Sequence, residues 1–309
     1  MATAREVQSR IKSIKDTRKI TNAMYMISSS KLMKAKKTLQ ETQDYFNSLQ
    51  VTIGRILKNI PQMRHIYFDN REVDEQETIK RKGYIVVTAD KGLVGAYNMN
   101  ILKMVQKEIE KNEVTKLFIV GELGKRFFEG KDVDVVEHFN YTAQNPTISR
   151  ARRITERILE CYNNEEIDEV CVVYTRMVNS LSCEAVMDRV LPLSRVKFTQ
   201  LKDVQDDLLS KNTTELIMFP SGEAVIESIV PNYIAGFIYG ALVEAYSSEQ
   251  NSRMMAMEAA SRNASEMLRE LEIVYNRVRQ AAITQEITEV VGGAKALKKK
   301  KKKKRADNE

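Results

Sequence analysis

The sequence of 309 residues is poor in the groups on which most enzyme chemistry depends. It has two histidines, His65 and His138, so a Ser-His-Asp triad finds little support. Three cysteines, Cys161, Cys171 and Cys183, stand apart without a CxxC pair, as expected of free thiols in a reducing compartment. With so few His and scattered Cys, no zinc site is expected. Five prolines and twelve glycines favour long uninterrupted elements over a loop-rich all-β fold. No apolar run reaches the roughly 18 residues that would span a bilayer. The first ten residues lack the apolar core and cleavage pattern of a signal peptide.

Charge is nearly balanced once one segment is set aside. The net charge is +7, but eight of the 49 basic residues lie in Lys298–Arg305 and two of the 42 acidic ones are Asp307 and Glu309. Residues 1–297 therefore carry 41 basic and 40 acidic residues, a net +1. The tail is expected to be disordered, because like charges repel and nothing apolar rewards order. No aromatic residue is interleaved with it, so it offers phosphate contacts but no base stacking.

Apolar residues make up 43% of the chain, and their spacing is the strongest signal. Ala35, Leu39, Thr42, Phe46, Leu49, Ile53, Ile56 and Ile60 alternate at steps of four and three, a heptad seam. Upstream, Val7, Ile11 and Ile14 form one stripe and Ile20, Met24 and Ile27 another, which reads as a stutter between two registers. Pro61 ends the pattern. The predicted helix from about Thr3 to Ile60 would be roughly 87 Å long at 1.5 Å per residue.

A second long helix closes the chain. Ala264, Leu268, Leu271, Tyr275, Val278 and Ala282 repeat the heptad, and the seam then shifts to Ile283, Ile287 and Val290. Val230, Ile234, Phe237, Ala241 and Ala245 form a stripe upstream, with Pro231 expected in the helix's first turn. The small-residue and Met-rich stretch from Asn251 to Ala264 suits close backbone approach and irregular packing.

The middle of the chain alternates β-branched runs with helical ones: strands at Gly83–Ala89, Lys116–Val120, Val133–Glu137 and Glu169–Tyr174, and helices at Asn98–Asn112, Gly124–Phe128 and Thr147–Cys161. That order predicts βαβ units and a mostly parallel sheet. Val190–Leu193 and Leu216–Phe219 are candidate edge strands. The fold class expected is α/β plus a long antiparallel α-helical coiled coil, with a Rossmann-like domain inserted between paired terminal helices. Its boundaries fall at 1–60, a linker at 61–82, the α/β domain at 83–220, the C-terminal helix at 221–297 and the tail at 298–309. In such a pairing Ile60 would lie near Pro231, and both chain ends would meet at the far tip.

Few segments invite chemistry. The loop Asp90–Asn98 holds Gly92 and Gly95 after the first strand, but it is neither GxGxxG nor a P-loop, so a structural strand-to-helix turn is expected. Asp203, Asp206 and Asp207 form an acidic patch without a calcium-type loop around them. No catalytic, cofactor-binding or metal-ligating residues are assigned. A self-standing coiled-coil scaffold and a Rossmann-type enzyme are the alternatives that periodicity leaves open.

Three segments carry a family resemblance: IKSIKDTRKITNAMYMISSSKL (Ile11–Leu32), ADKGLVGAYN (Ala89–Asn98), and SRMMAMEAASRNA followed by VYNRVRQAAITQEITEVVGGAKAL near the C-terminus. With them the chain resembles, along nearly its whole length, the γ subunit of F-type ATP synthases. The resemblance implies a non-catalytic rotor stalk without cofactor. Its partners would be the α and β subunits of an α3β3 ring, the ε subunit and the membrane c-ring, at the cytoplasmic face of the bacterial plasma membrane. It also implies coupling contacts to that ring at Met24, Arg279, Gln280, Thr284 and Glu286. Asn22 and Tyr25 depart from the charged residues frequent in the family, Val94 stands where a cysteine is frequent, and the lysine tail extends past the family's usual end.

Overall fold

A computed structural model describes residues 3–68, 81–111, 114–140, 143–179, 182–201 and 218–306. Helix α1 spans Ala4–Asn59. Then follow β1 (Lys82–Val87), α2 (Tyr97–Ile109), β2 (Thr115–Val120), α3 (Glu122–Phe128), β3 (Asp134–Phe139), α4 (Ile148–Asn163), β4 (Glu169–Met177), β5 (Cys183–Leu191), the short α5 (Arg195–Thr199) and α6 (Gly222–Ala306). The chain divides into two compact units, one of Met1–Tyr25 with Met257–Glu309, the other of Met26–Ala256.

In the Met26–Ala256 unit five strands form one sheet in the order β3-β2-β1-β4-β5. The β1–β2, β1–β4 and β2–β3 pairs are parallel, and β4–β5 is antiparallel. Both faces of the central strands are buried, which explains why their sequences are continuous apolar runs. Ile85, Val87, Phe118, Val120, Val170 and Val172 face a core that includes Ile154 and Ile158 of α4 and Ile226, Val230 and Ile234 of α6. Tyr84, Val86, Leu117, Ile119, Cys171 and Val173 face Ile101, Leu102 and Val105 of α2 and Phe128 of α3. Thr147 caps α4, its hydroxyl accepting from the Arg150 amide at 3.4 Å.

Strand β5 extends well beyond the predicted Val190–Leu193 edge, starting at Cys183. Its apolar alternation is broken by Glu184, Asp188 and Arg189, and cross-strand polar contacts replace it. Asp188 accepts from Arg176 at 2.7 Å and from the Tyr174 hydroxyl at 2.9 Å. Of the other candidate edge, Leu216 and Ile217 lie outside the described residues, and Met218–Phe219 is not strand. The acidic patch at Asp203, Asp206 and Asp207 also lies outside them, as do residues 69–80 of the expected linker. Residues 61–68 join the core: Met63, Tyr67 and Phe68 are buried, and the Leu193 amide donates to the Tyr67 carbonyl at 2.7 Å.

Within this unit α1 and α6 run antiparallel. The Phe46 ring packs on Gly236 and lies 6.3 Å from the Tyr239 ring, while Ile60 packs on Gly222. Pro231 is not in the first turn of α6 but inside the helix, nine residues after its start. Proline there removes one backbone hydrogen bond. The preceding turns are retained because Ile226 and Val230 are fully buried in the core. One 18-residue window of α6 reaches a mean hydropathy of 1.3, and half of it is buried inside the fold, as in the core helix of a packed domain.

In the Met1–Tyr25 and Met257–Glu309 unit the two helices are again antiparallel. Lys15 pairs with Glu272 at 3.8 Å, and the Arg18 guanidinium donates to the Ser265 hydroxyl at 3.5 Å. Both contacts are exposed, so each adds little stability. The apolar contribution comes from Val7, Met257, Ala264 and Leu268, all buried.

Two expectations require correction. The stripe of Ile20, Met24 and Ile27 is not the seam of α1: Ile20 is 61% and Ile27 55% exposed, whereas Thr21 is 7% and Ser28 2% exposed. The heptad runs on from Ile14 through Arg18, Thr21, Tyr25, Ser28 and Leu32 to Ala35 without a stutter. Small hydroxyl residues hold the inward positions, and Thr21 satisfies its own hydroxyl by donating to the Arg18 carbonyl at 3.0 Å. The backbone of α6 also continues as helix through the lysine run to Ala306, where a disordered tail was expected. Lysine is a good helix former, and positive charge at a helix C-terminus is favoured by the helix dipole.

Candidate functional site: the open faces of the terminal helices

The last turns of α6 present an unusual surface. From Ala281 to Lys295 every residue is exposed, although Ile283, Ile287, Val290 and Val291 are large and apolar; Val290 is 72% exposed. Ile273 and Val274 extend the patch by two turns. On α1 Ile20, Met26, Ile27 and Met33 point away from the seam into solvent. Scattered exposed apolar residues are ordinary, but a run of them along one helix marks an interaction surface.

The predicted contact residues fall on or beside this surface. Arg279, Gln280, Thr284 and Glu286 are all exposed, and Met24 is half-buried beside the α1 seam. Arg279, Ile283 and Glu286 follow the i, i+4, i+7 spacing of one helix stripe, with Gln280 and Thr284 on the adjacent one. The Thr284 hydroxyl is turned back onto the helix, donating to the Gln280 carbonyl at 2.9 Å, and the Thr288 hydroxyl repeats this to Thr284 at 2.8 Å. Among the described residues Arg279 and Glu286 make no ion pair. The stripe thus offers a guanidinium, an amide and a carboxylate around an isoleucine, a set suited to recognising another protein.

The α1 positions were missed by sequence reasoning because isoleucine was assigned inward by type. Following the four-three spacing from Ile14 to Ala35 would have put Thr21 and Ser28 inside and left Ile20 and Ile27 outside.

The other conceivable site is the crevice at the C-terminal ends of β1 and β4, where the connections from the sheet diverge and ligands bind in many α/β folds. Here protein groups occupy it. In the β1–α2 loop Asn98 accepts from the Ala89 amide at 2.8 Å, and Asp90 accepts from the Glu122 amide at 3.0 Å. The Tyr97 hydroxyl donates to the Ala245 carbonyl of α6 at 3.0 Å. Arg253 of α6 donates to the Lys91 and Gly92 carbonyls at 3.5 and 3.4 Å and pairs with Glu249 at 2.7 Å. Burial raises the Glu249 pKa, and the neighbouring Arg253 opposes that shift. The glycine loop therefore docks α6 through its own carbonyls. Leu93 and Gly95 take positive φ of 63° and 58° to turn it. Among the described residues no three His, Cys, Asp or Glu side chains are grouped to hold a metal ion.

The described residues thus combine a five-stranded sheet with antiparallel stretches of α1 and α6, and α6 carries an open apolar face. A family model described as ATP synthase matches residues 3–297. The ATP synthase gamma chain of Ruminiclostridium cellulolyticum is 47% identical over 296 residues, covering 95% of this chain and 98% of the relative. That of Acetivibrio thermocellus is 41% identical over 304 residues, covering 96% and 100%. The central stalk in a cryo-EM structure of the Tetrahymena thermophila mitochondrial ATP synthase central stalk and c-ring shares the fold, with a TM-score of 0.57, 24% identity and coverage of 78% of this chain and 99% of that one. The chain belongs to the ATP synthase gamma-chain family.

Proposed function

We propose that this chain is the central rotor shaft of an F1F0 ATP synthase. It would couple ion-driven rotation of the membrane c-ring to the catalytic sites of an α3β3 ring, without itself catalysing a reaction. The observation that carries this reading is the open apolar face of α6, Ile273 to Val291, on a helix pair whose inward residues are already used. A ring of subunits around the helix would remove that face from water. At roughly 25 cal/mol per Å2 such burial is a substantial driving force for assembly.

The mechanism follows from asymmetry. A helix pair has no threefold axis, so it cannot touch three identical β subunits identically. Each β subunit experiences a different contact free energy and populates a different conformation. Rotation moves that bias from one site to the next, and hydrolysis can run the cycle backwards. Arg279, Gln280, Thr284, Glu286 and Met24 are the proposed contacts to α and β. The ε subunit and c-ring would hold the other end of the rotor, as part of a peripheral complex on the cytoplasmic face of the bacterial plasma membrane.

Co-expression with the cognate α and β subunits tests this. The expected product contains one copy of this chain per three αβ pairs and hydrolyses ATP. Arg279→Ala with Gln280→Ala is expected to assemble normally but lower turnover about tenfold, on the order of 1.4 kcal/mol in the barrier. A chain that stays apart from α and β as a discrete oligomer would instead be a self-standing scaffold.

A further inference from the structure

At one edge of the sheet unit, the end of β5, helix α5 and the facing turns of α1 and α6 enclose a cavity of about 170 Å3. Leu193, Phe198 and Phe237 line its apolar wall, and Tyr233 stands beside them. The Phe198 and Tyr233 rings meet edge to face with centroids 5.1 Å apart, which fixes the wall. Arg189 and Lys197 also line the cavity, and both are exposed to solvent.

The polar groups at this cavity are unspent. Among the described residues neither Arg189 nor Lys197 has an ion-pair partner. Asp188, next to Arg189, is already engaged by Arg176 and Tyr174. The Tyr233 hydroxyl has no hydrogen-bond partner among the described residues either. Burial alone pushes its pKa up to about 12, so it remains a neutral donor across the physiological range. An aromatic wall beside a few convergent polar groups is the usual make-up of a small-molecule pocket, and here the two cations and the hydroxyl border it without protein partners among the described residues.

We propose that this cavity binds an anion with a compact apolar body. The ring or branched chain would enter against Phe198 and Phe237, and the carboxylate, sulfonate or phosphate would meet Arg189 and Lys197, with Tyr233 as an added donor. The combination matters because two exposed cations alone hold an anion weakly, whereas an apolar wall beside them supplies both affinity and orientation. The same chemistry is found in free aromatic acids and in anionic lipids.

The test uses the full chain and two fluorescent probes, anilinonaphthalene sulfonate and the uncharged phenylnaphthylamine. The sulfonate is expected to saturate a single site about tenfold more tightly than the uncharged probe, a difference of about 1.4 kcal/mol. Arg189→Gln with Lys197→Gln should abolish that difference without moving the thermal midpoint, and Arg189→Lys with Lys197→Arg should restore it. Tyr233→Phe should weaken the sulfonate about threefold, the scale of one neutral hydrogen bond. Vesicles separate the two sources. Co-sedimentation with phosphatidylglycerol but not phosphatidylcholine, lost in the glutamine variant, assigns the site to a lipid. Sulfonate binding without co-sedimentation assigns it to a free solute. Unsaturable binding, equal affinity for the two probes, or an unchanged glutamine variant would overturn the proposal.

Discussion

The sheet unit and the helical unit spend their apolar residues differently. Around the sheet, Ile85, Phe118 and Val172 on one face and Val86, Ile119 and Val173 on the other are covered by the chain's own helices. In the helical unit only the seam is covered, and Ile273, Ile283, Ile287 and Val290 remain open. The two faces of the sheet are thus covered within the fold. In the proposed reading a surrounding ring covers that open face, which would put the function away from the crevice where an α/β fold ordinarily holds it.

Breaking the self-sufficient region should give the largest effects. Phe118 is fully buried between β2 and the α4 and α6 side of the core. Phe118→Ala is expected to lower stability by about 3–5 kcal/mol, read as a shift in the urea midpoint at constant slope. Gly236→Ala comes next. In an open helix that change stabilises by about 1 kcal/mol, but here the Phe46 ring occupies the space a methyl group needs. The expected sign is reversed, a loss of about 1–3 kcal/mol from overpacking. Phe46→Leu in the same background should recover part of it.

A pH dependence sharpens the same contrast. Burial in the sheet raises the Cys171 thiol from 9.0 to about 12. The folded chain therefore keeps this proton at a pH where the unfolded chain has lost it. Stability is full below pH 9 and declines as pH rises from there towards 12. Comparing urea midpoints at pH 8 and pH 10.5, the decline should be smaller for Cys171→Ala than for the parent chain. The smallest effect on the chain itself is expected in the helical region. Ile287→Asp with Val290→Asp should change its stability by no more than about 0.5 kcal/mol, since both side chains are already in water.

The sequence made much of this legible. Four strands and the alternating helices could be read because β1, β2 and β4 are uninterrupted apolar runs and the α1 seam from Ala35 to Ile60 keeps strict spacing. The same reading failed where polar groups do the work of apolar ones. β5 is held by the Tyr174, Arg176 and Asp188 contacts, so its pattern does not alternate. Thr21 and Ser28 hold buried positions of α1, so a rule that sends isoleucine inward places Ile20 wrongly. Pro231 sits within α6 because tertiary burial of Ile226 and Val230 outweighs the local cost of proline. The contact role proposed for Arg279 is not legible from spacing alone. An exposed arginine on a helix is ordinary, and only the open apolar stripe around it distinguishes this one.

The most direct test of the central claim is to reconstitute Ile287→Asp with Val290→Asp with α and β and measure complex yield beside the melting curve of the isolated chain. If the open face is a partner surface, the chain melts as before while the yield of the complex with α and β falls at least about tenfold, since burying two carboxylates against apolar neighbours is costly. Normal assembly and normal ATP turnover with both carboxylates in place would contradict the account.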